Sequence, residues 1–176
     1  MTALPPAQAD NSKQHLWRAL KSGEAFAIMR HALAPGTGDP QTVVIGDCTT
    51  QRNLSERGRQ QAREIGALFR RNGITSARVA TSQWCRCRET ARLLDIGDVE
   101  DLPSLNSFFT RRERADAQTA TLKTWLAQRA PNTPHILVTH QVNINALTGR
   151  FTRSGETLVV RRTPDGDYDV LGSILE

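Results

Sequence analysis

AFAIMRHA, residues 25–32, begins as an apolar run of strand length and stops at the pair Arg30-His31, after which LAPGTG at 33–38 forms a loop. A continuous apolar run bounded by turn residues is typical of a strand buried on both faces of a sheet. In an open α/β sheet, ligands bind outside the carboxyl ends of the strands. A guanidinium and an imidazole at that point suit an anionic ligand, although on this segment alone capping a strand is the simpler role.

Strands alternate with amphipathic helices on both sides of this stretch. Helices are predicted over 11–22, from Asn53 or Ser55 to about 72, and over 82–94, 113–129 and 141–147. Strands are predicted over 24–30, within 74–81 and 96–102, over 136–138, and as a hairpin of 157–162 with 168–174. This alternation predicts a three-layer α/β/α sandwich with a mostly parallel central sheet, to which the hairpin adds an antiparallel edge.

The composition is that of a soluble globular protein. The length of 176 residues predicts a single domain over 1–176, with a disordered tail at 1–10. The net charge is +5, but acidic residues are interleaved throughout and there is one Tyr, so nucleic-acid binding is not indicated. No segment is long and apolar enough for a transmembrane helix.

The amino terminus leaves the compartment open. As written it has neither a basic nor an apolar region of a signal peptide, which predicts a cytoplasmic protein. Ala7-Gln8-Ala9 resembles the end of a cleavage site, so a periplasmic protein is expected if a leader was removed before Ala9 or Asp10.

Three cysteines, Cys48, Cys85 and Cys87, are too few for a disulfide framework in a chain of this length. Cys85-x-Cys87 has no second Cys or His pair at zinc spacing, so a structural metal site is not predicted. Buried or half-exposed thiols are expected instead.

Charged and imidazole side chains follow three of the predicted strands. Arg30 and His31 follow the first, Ser82 and Arg86 follow the second, and His140 follows the strand at 136–138. The carboxyl ends of parallel strands meet at one edge of a sheet, so these groups are expected in one crevice. Each close pair of cations would cost about 1 kcal/mol or more without an anion between them, and a dianionic phosphate removes that cost. The pattern therefore predicts a phosphoryl site.

Four motifs, in register over about residues 24–150, resemble those of the histidine phosphatase superfamily, also called the phosphoglycerate mutase-like or histidine acid phosphatase superfamily. Its Arg-His-Gly motif is matched by RHA at 30–32. Its Leu-Ser/Thr-x-x-Gly-x-x-Gln-Ala helix start is matched by LSERGRQQA at 54–62. Its Ser-x-x-x-Arg-x-x-x-Thr-Ala segment is matched by SQWCRCRETA at 82–91, and its second histidine motif by VTH at 138–140.

The resemblance implies a role for each matching residue. His31 would be the nucleophile that forms a phosphohistidine intermediate, later hydrolysed by water. Arg30, Arg86 and His140 would bind the phosphoryl oxygens and stabilise the transition state, with no metal or other cofactor required. Gln141, which follows the second histidine, is expected to hydrogen-bond to the substrate.

The chain departs from the family where the general acid is expected. Acid-phosphatase members carry Asp directly after the second histidine, where this chain has Gln141, and mutase-like members carry Glu in the middle segment, where it has LNSFF at 105–109. Asp39, Asp47 and Glu113 remain alternative acids. General acid catalysis is typically worth about 10²–10⁴-fold, so its absence argues against a mutase and favours the small phosphatase branch.

The sequence therefore predicts a phosphatase that hydrolyses phosphomonoesters or other phosphorylated substrates. The expected substrate is a phosphorylated small molecule, an envelope sugar phosphate or a phosphoprotein. The alternative is a non-catalytic or weakly catalytic module that binds phosphate or a phosphoprotein and lacks the acid. The loop at 33–52 and the segment at 103–114, which includes Phe108, Phe109, Arg111 and Arg112, are expected to contact whatever carries the phosphate.

Overall fold

The computed structural model of the chain describes residues 13–174, so the tail predicted at 1–10 and the start of the first predicted helix lie outside the described residues. The α-helices are α1 (Gln14–Ser22), α2 (Glu56–Arg71), α3 (Cys85–Leu94), α4 (Ala115–Ala127) and α5 (Gln141–Thr148). The strands are β1 (Ala25–Arg30), β2 (Arg78–Thr81), β3 (Val99–Asp101), β4 (His135–Thr139), β5 (Thr157–Arg162) and β6 (Tyr168–Ser173). Short 3₁₀ turns lie at Cys48–Thr50, Pro103–Leu105 and Arg112–Arg114.

The strands form one six-stranded sheet in the order β3-β2-β4-β1-β5-β6. β3, β2, β4 and β1 are parallel neighbours, whereas β5 pairs antiparallel with both β1 and β6. β1 and β4, the two strands that lead to His31 and His140, are adjacent, with Arg30 opposite Thr139. The predicted α/β fold with a mostly parallel sheet and an antiparallel edge is confirmed.

Two apolar layers cover the sheet because successive strand residues point to opposite faces. On one face, Ala27 and Met29 of β1 pack in a cluster with Leu20 of α1 and Phe69 of α2. On the other face, Phe26 and Ile28 belong to a cluster with Leu122 and Leu126 of α4 and Ile144 of α5. β1 is thus buried on both sides, as its uninterrupted apolar sequence predicts.

The start of α2 packs tightly against the loop that follows His31. Ser55 is the N-cap, and its hydroxyl accepts a hydrogen bond from the Gly58 amide at 3.1 Å. A Cβ atom on Gly58 would lie 2.0 Å from the Leu33 carbonyl oxygen, so only glycine allows this approach. The glycine of the helix-start motif therefore sets the position of the backbone beside His31.

The expectation of three thiols was wrong. Cys48 and Cys85 form a disulfide that joins residues 37 apart in sequence, with Cα atoms 5.7 Å apart. Cys87 is a free, buried thiol. The disulfide attaches the long loop after β1 to the first residue of α3, one position before Arg86. The two cysteines meet because this loop folds back over the start of α3, which the spacing of cysteines does not indicate.

None of the helices within residues 13–174 has the length and apolar character needed to cross a membrane.

Candidate active site

The carboxyl ends of β1, β2 and β4 bring three of the predicted site residues into direct contact. His31 follows β1, His140 follows β4, and Arg86 lies in the first turn of α3, which follows β2. The two imidazole rings have centroids 5.6 Å apart. Arg86 lies between them, with Nε 3.2 Å from His31 Nε2 and Nη2 3.4 Å from His140 Nδ1. All three side chains are at most 4% exposed.

The tautomer of His31 follows from its hydrogen bonds. Nδ1 lies 2.8 Å from the carbonyl oxygen of Ala32, which can only accept, so Nδ1–H donates and Nε2 carries the lone pair. Burial, followed by the charge of Arg86, lowers the pKa of His31 to about 3. The imidazole is therefore neutral near pH 7, with an unprotonated nitrogen facing the arginine.

His140 is held by a chain of polar contacts on its other side. Its Nε2 lies 2.8 Å from the Ser82 hydroxyl, which also accepts from the Trp84 amide and donates to Asn106 Oδ1. With Nε2–H donating to Ser82, Nδ1 accepts from Arg86. Burial, and next the charge of Arg86, lowers the pKa of His140 well below its usual value. This ring is also neutral, and its Nδ1 points to the same side as His31 Nε2.

Each of the five N–H groups of Arg86 has an acceptor. The side edge of the guanidinium, Nε and one Nη2–H, faces the two imidazoles. The end edge, Nη1 and the other Nη2–H, donates to the two carboxylate oxygens of Asp39 at 2.8 and 3.1 Å. The remaining Nη1–H donates to the carbonyl of Arg52 at 3.2 Å. Asp39 therefore occupies the end edge and leaves the side edge towards the histidines.

Asp39 receives two further hydrogen bonds, from the Arg52 amide and from Trp84 Nε1, both at 3.0 Å. Burial alone would raise its pKa, but the hydrogen bonds from Arg86, Arg52 and Trp84 and the charge of Arg86 outweigh burial and lower it. Asp39 is consequently a carboxylate near pH 7. The sequence does not indicate this pair, because no periodic pattern links Asp39 in a loop to Arg86 in a helix 47 positions later.

Arg30 and Gln141 complete the floor of the same cavity. Arg30 Nη1 donates to the Thr152 carbonyl at 3.3 Å, whereas its buried Nε has no partner in the structure. A buried N–H without an acceptor is costly and points to a ligand or solvent acceptor. Gln141 Oε1 accepts from both the amide and the hydroxyl of Thr152, which leaves its Nε2 as a donor.

The sequence around these residues matches the model of a known protein family. The model of the histidine phosphatase superfamily (branch 1) matches residues 26–108, a range that contains Arg30, His31, the helix-start motif and Arg86. Over this range the chain is similar to the histidine phosphatase superfamily. His140 lies beyond the matched range. The fold nevertheless brings it into the same cavity as Arg30, His31 and Arg86.

Solved structures of several phosphatases share the fold. The protein histidine phosphatase SixA, solved with tungstate, is 17% identical, with a TM-score of 0.59 over 85% of this chain and 95% of that one. A mycobacterial glucosyl-3-phosphoglycerate phosphatase is 15% identical, with a TM-score of 0.59 over 84% and 97%. Phosphoserine phosphatase from Entamoeba histolytica, solved with 3-phosphoglyceric acid, is 12% identical, with a TM-score of 0.63 over 85% and 95%. No curated protein sequence matches the chain.

Asp47 and Glu113, the other two candidate acids, do not line the cavity. Asp47 accepts hydrogen bonds from the amide and hydroxyl of Thr49, at the start of the turn Cys48–Thr50. Glu113 lies in the exposed turn Arg112–Arg114. Asp39 is the one carboxyl group among the cavity residues of the described chain, and it is ionised.

The cavity above these residues has a volume of about 900 Å³. The loop after β1, the segment after β3 and α5 form its walls. Phe108 is 4% exposed and packs into the wall, whereas Phe109 beside it is 43% exposed. Arg112 lines the cavity, and Arg111 does not. Within residues 13–174, no three His, Cys, Asp or Glu side chains are grouped as metal ligands.

Proposed function

We propose that the chain is a phosphatase that transfers a phosphoryl group from its substrate to His31 Nε2 and then to water. The observation that carries this proposal is the contact between Arg86 Nε and His31 Nε2 at 3.2 Å. It combines an unprotonated nitrogen of fixed tautomer with a cation directed at the position that a phosphoryl group would occupy. A solvated surface histidine has neither property.

In the first step, the lone pair of His31 Nε2 attacks phosphorus and the bond from phosphorus to the leaving oxygen breaks. The side edge of Arg86 donates to the phosphoryl oxygens instead of to the two histidines, and Arg30, which lines the cavity, adds a second guanidinium. The dianion also favours protonation of His140, whose Nδ1–H then becomes a third donor. In the second step, water attacks the phosphohistidine, which releases inorganic phosphate and restores the lone pair.

Asp39 acts as a positioning residue in this scheme. Its two oxygens hold the end edge of Arg86, so that the side edge faces the reacting group. Its negative charge offsets one of the four guanidinium charges in the cavity, those of Arg30, Arg52, Arg86 and Arg112. Since it stays ionised, it does not protonate the leaving group, so substrates whose leaving group departs without that help are expected to react fastest.

The structural neighbours do not identify one substrate class for this chain, because their names refer to different substrates. Their names refer to a phosphorylated protein side chain, a sugar-linked phosphoglycerate and phosphoserine. Phosphomonoester hydrolysis is the activity common to the small-molecule cases, and phosphorylated small molecules, envelope sugar phosphates and phosphoproteins are all candidate substrates for this chain.

The phosphoenzyme is the direct test. A brief incubation with radiolabelled acetyl phosphate, followed by quenching, is expected to label the protein with a phosphate that is labile to acid and stable to base. His31→Ala is expected to abolish the label. His15→Ala is the matched control, because His15 is exposed on α1 and does not line the cavity.

A module that binds phosphate without catalysis gives a different result. It would bind vanadate or inorganic phosphate in a manner that depends on Arg86, yet would show no label at any time. That outcome would overturn the proposed activity.

A further inference from the structure

The cavity above His31 is much larger than a phosphoryl group. Its volume of about 900 Å³ lies at the upper end of the range for sites that enclose whole small molecules. The cationic and imidazole groups of the proposed catalytic site occupy only its floor. The rest of the cavity is therefore available to the part of the substrate that carries the phosphate, and any assignment of that part rests on the proposed function.

Apolar and aromatic side chains form much of the upper wall. Pro40 comes from the loop after β1, Phe109 from the segment after β3, Val142 and Ala146 from α5, and Phe151 from the segment after α5. Phe151 is 79% exposed and Phe109 is 43% exposed. A ligand that covers these two rings removes a large apolar area from water, and an aromatic ligand adds ring–ring contacts.

The ring of Phe109 is held by a neighbour. The guanidinium of Arg112 lies 5.3 Å from its centroid, a cation–π contact, and Arg112 itself lines the cavity. The described cavity residues add only one negative charge, that of Asp39, which is already paired with Arg86. The wall thus suits an apolar ring attached to an anionic group.

The chemistry of the residues at the floor of the cavity also favours a substrate in which an aromatic ring carries the phosphate. No cavity carboxyl is protonated and Gln141 has no acidic proton. In the proposed scheme the Nδ1–H of His140 donates to a phosphoryl oxygen, so the leaving oxygen departs as an anion. A phenol has a pKa of about 10, whereas the pKa of water, and of a simple alcohol near it, is about 16. A phenolate therefore departs far more readily than an alkoxide without a general acid.

We propose that the cavity binds phosphate monoesters of aromatic alcohols, with the aromatic ring of the substrate in contact with Phe109 and Phe151. The apolar wall and the missing acid are separate observations that point to one substrate class. In the reaction, the P–O bond to the ring breaks, the phenolate leaves, and the phosphoryl group forms a bond with His31 Nε2.

A panel of substrates tests the class. Phenyl phosphate and 2-naphthyl phosphate are expected to show kcat/KM at least 100-fold above glucose 6-phosphate and glycerol 2-phosphate. Their KM is expected to be at least 10-fold below that of acetyl phosphate, which is small and reactive but has no ring. A kcat/KM for either alkyl phosphate that equals the value for phenyl phosphate would overturn the proposal.

Variants of the wall test the contact itself. Phe109→Ala and Phe151→Ala are each expected to raise KM for 2-naphthyl phosphate by about 3- to 10-fold, with a smaller effect on kcat. Ile45→Ala is the matched control, because Ile45 is 41% exposed in the same long loop as Pro40 but does not line the cavity. An unchanged KM in both phenylalanine variants would contradict the proposal.

Labelling of His31 by acetyl phosphate separates this inference from the proposed function. If acetyl phosphate labels His31 while aryl phosphates show no advantage, the phosphatase proposal stands and the substrate class is wrong. If neither type of substrate labels His31, both proposals fail.

Discussion

Arg86 donates all five of its N–H groups within the protein, and Asp39 receives two of them. Arg86 is 3% exposed and Asp39 has 12% side-chain exposure, so water competes weakly for this pair. A buried, bidentate ion pair fixes both the position and the rotation of the guanidinium. The side edge of Arg86 faces His31 and His140. Its orientation therefore depends on Asp39, which binds the end edge of the same guanidinium.

Asp39→Asn is expected to lower kcat/KM by about 10- to 100-fold, because a neutral amide holds the guanidinium less firmly and small displacements of a catalytic group are costly. The measurement is steady-state hydrolysis of 4-nitrophenyl phosphate and phenyl phosphate by the variant. The fold-loss is expected to be equal for both, since Asp39 acts on Arg86 rather than on the leaving oxygen.

Asp101→Asn is the matched control for this substitution. Asp101 also accepts two hydrogen bonds from an arginine of α3, Arg88, but this pair is on the surface and outside the cavity. Its kinetics are expected to match those of the unaltered protein. A loss in Asp39→Asn that grows with the pKa of the leaving group would instead identify Asp39 as a general acid.

At the scale of elements, the contact between α2 and the loop after β1 leaves no room for a single methyl group. Gly58→Ala would bring a Cβ atom to 2.0 Å from the Leu33 carbonyl, so helix or loop must shift. We expect a loss of about 1–3 kcal/mol in the free energy of unfolding, typical of overpacking. We also expect a lower kcat/KM, since Leu33 is two residues from His31.

Gly66→Ala provides the comparison, because its Cβ would lie equally close, 2.0 Å, to the Leu94 carbonyl at the end of α3. It is expected to lose similar stability but to keep its kcat/KM at a temperature where both variants are folded. Urea unfolding and initial rates are the two measurements. Equal kinetics in the two variants would show that the Gly58 contact does not position His31.

The identity and order of the elements could be predicted from hydrophobic periodicity and turn residues. The uninterrupted apolar sequences at 25–29 and 136–138 indicate strands covered on both faces, and these are β1 and β4. The burial of Phe108 and the exposure of Phe109 could not be predicted, because neighbouring residues of an irregular segment have no period that assigns them to a face. The pairing of Asp39 with Arg86 could not be predicted either, because it depends on the path of the long loop that contains Asp39.

At the scale of the whole molecule, the Cys48–Cys85 disulfide closes a segment of 37 residues. In the chain-entropy description, such a closure stabilises the folded state by about 3–4 kcal/mol, or roughly 10 °C in Tm for a chain of this size. Protein exported to an oxidising compartment is expected to show one thiol in denaturant, that of Cys87, and three after reduction. Thiol titration and thermal unfolding with and without reductant measure both effects.

The double variant Cys48→Ser with Cys85→Ser is expected to have the lower Tm of the reduced protein and to be insensitive to reductant. Three titratable thiols in the unreduced protein would contradict the disulfide. Before the protein is unfolded, thiol–disulfide exchange with Cys87 does not change the number of thiols, because burial raises the pKa of the Cys87 thiol to about 12. A stable disulfide in this position would favour an oxidising compartment such as the periplasm.

All five N–H groups of Arg86 have acceptors within the protein, and this affects the release of the product. When inorganic phosphate departs, its place on Nε and Nη2 is taken by lone pairs of the protein's own two imidazoles, 3.2 and 3.4 Å away. The site thus contains an internal competitor for its product. We expect this competition to weaken product inhibition, so that the rate stays nearly constant as orthophosphate accumulates.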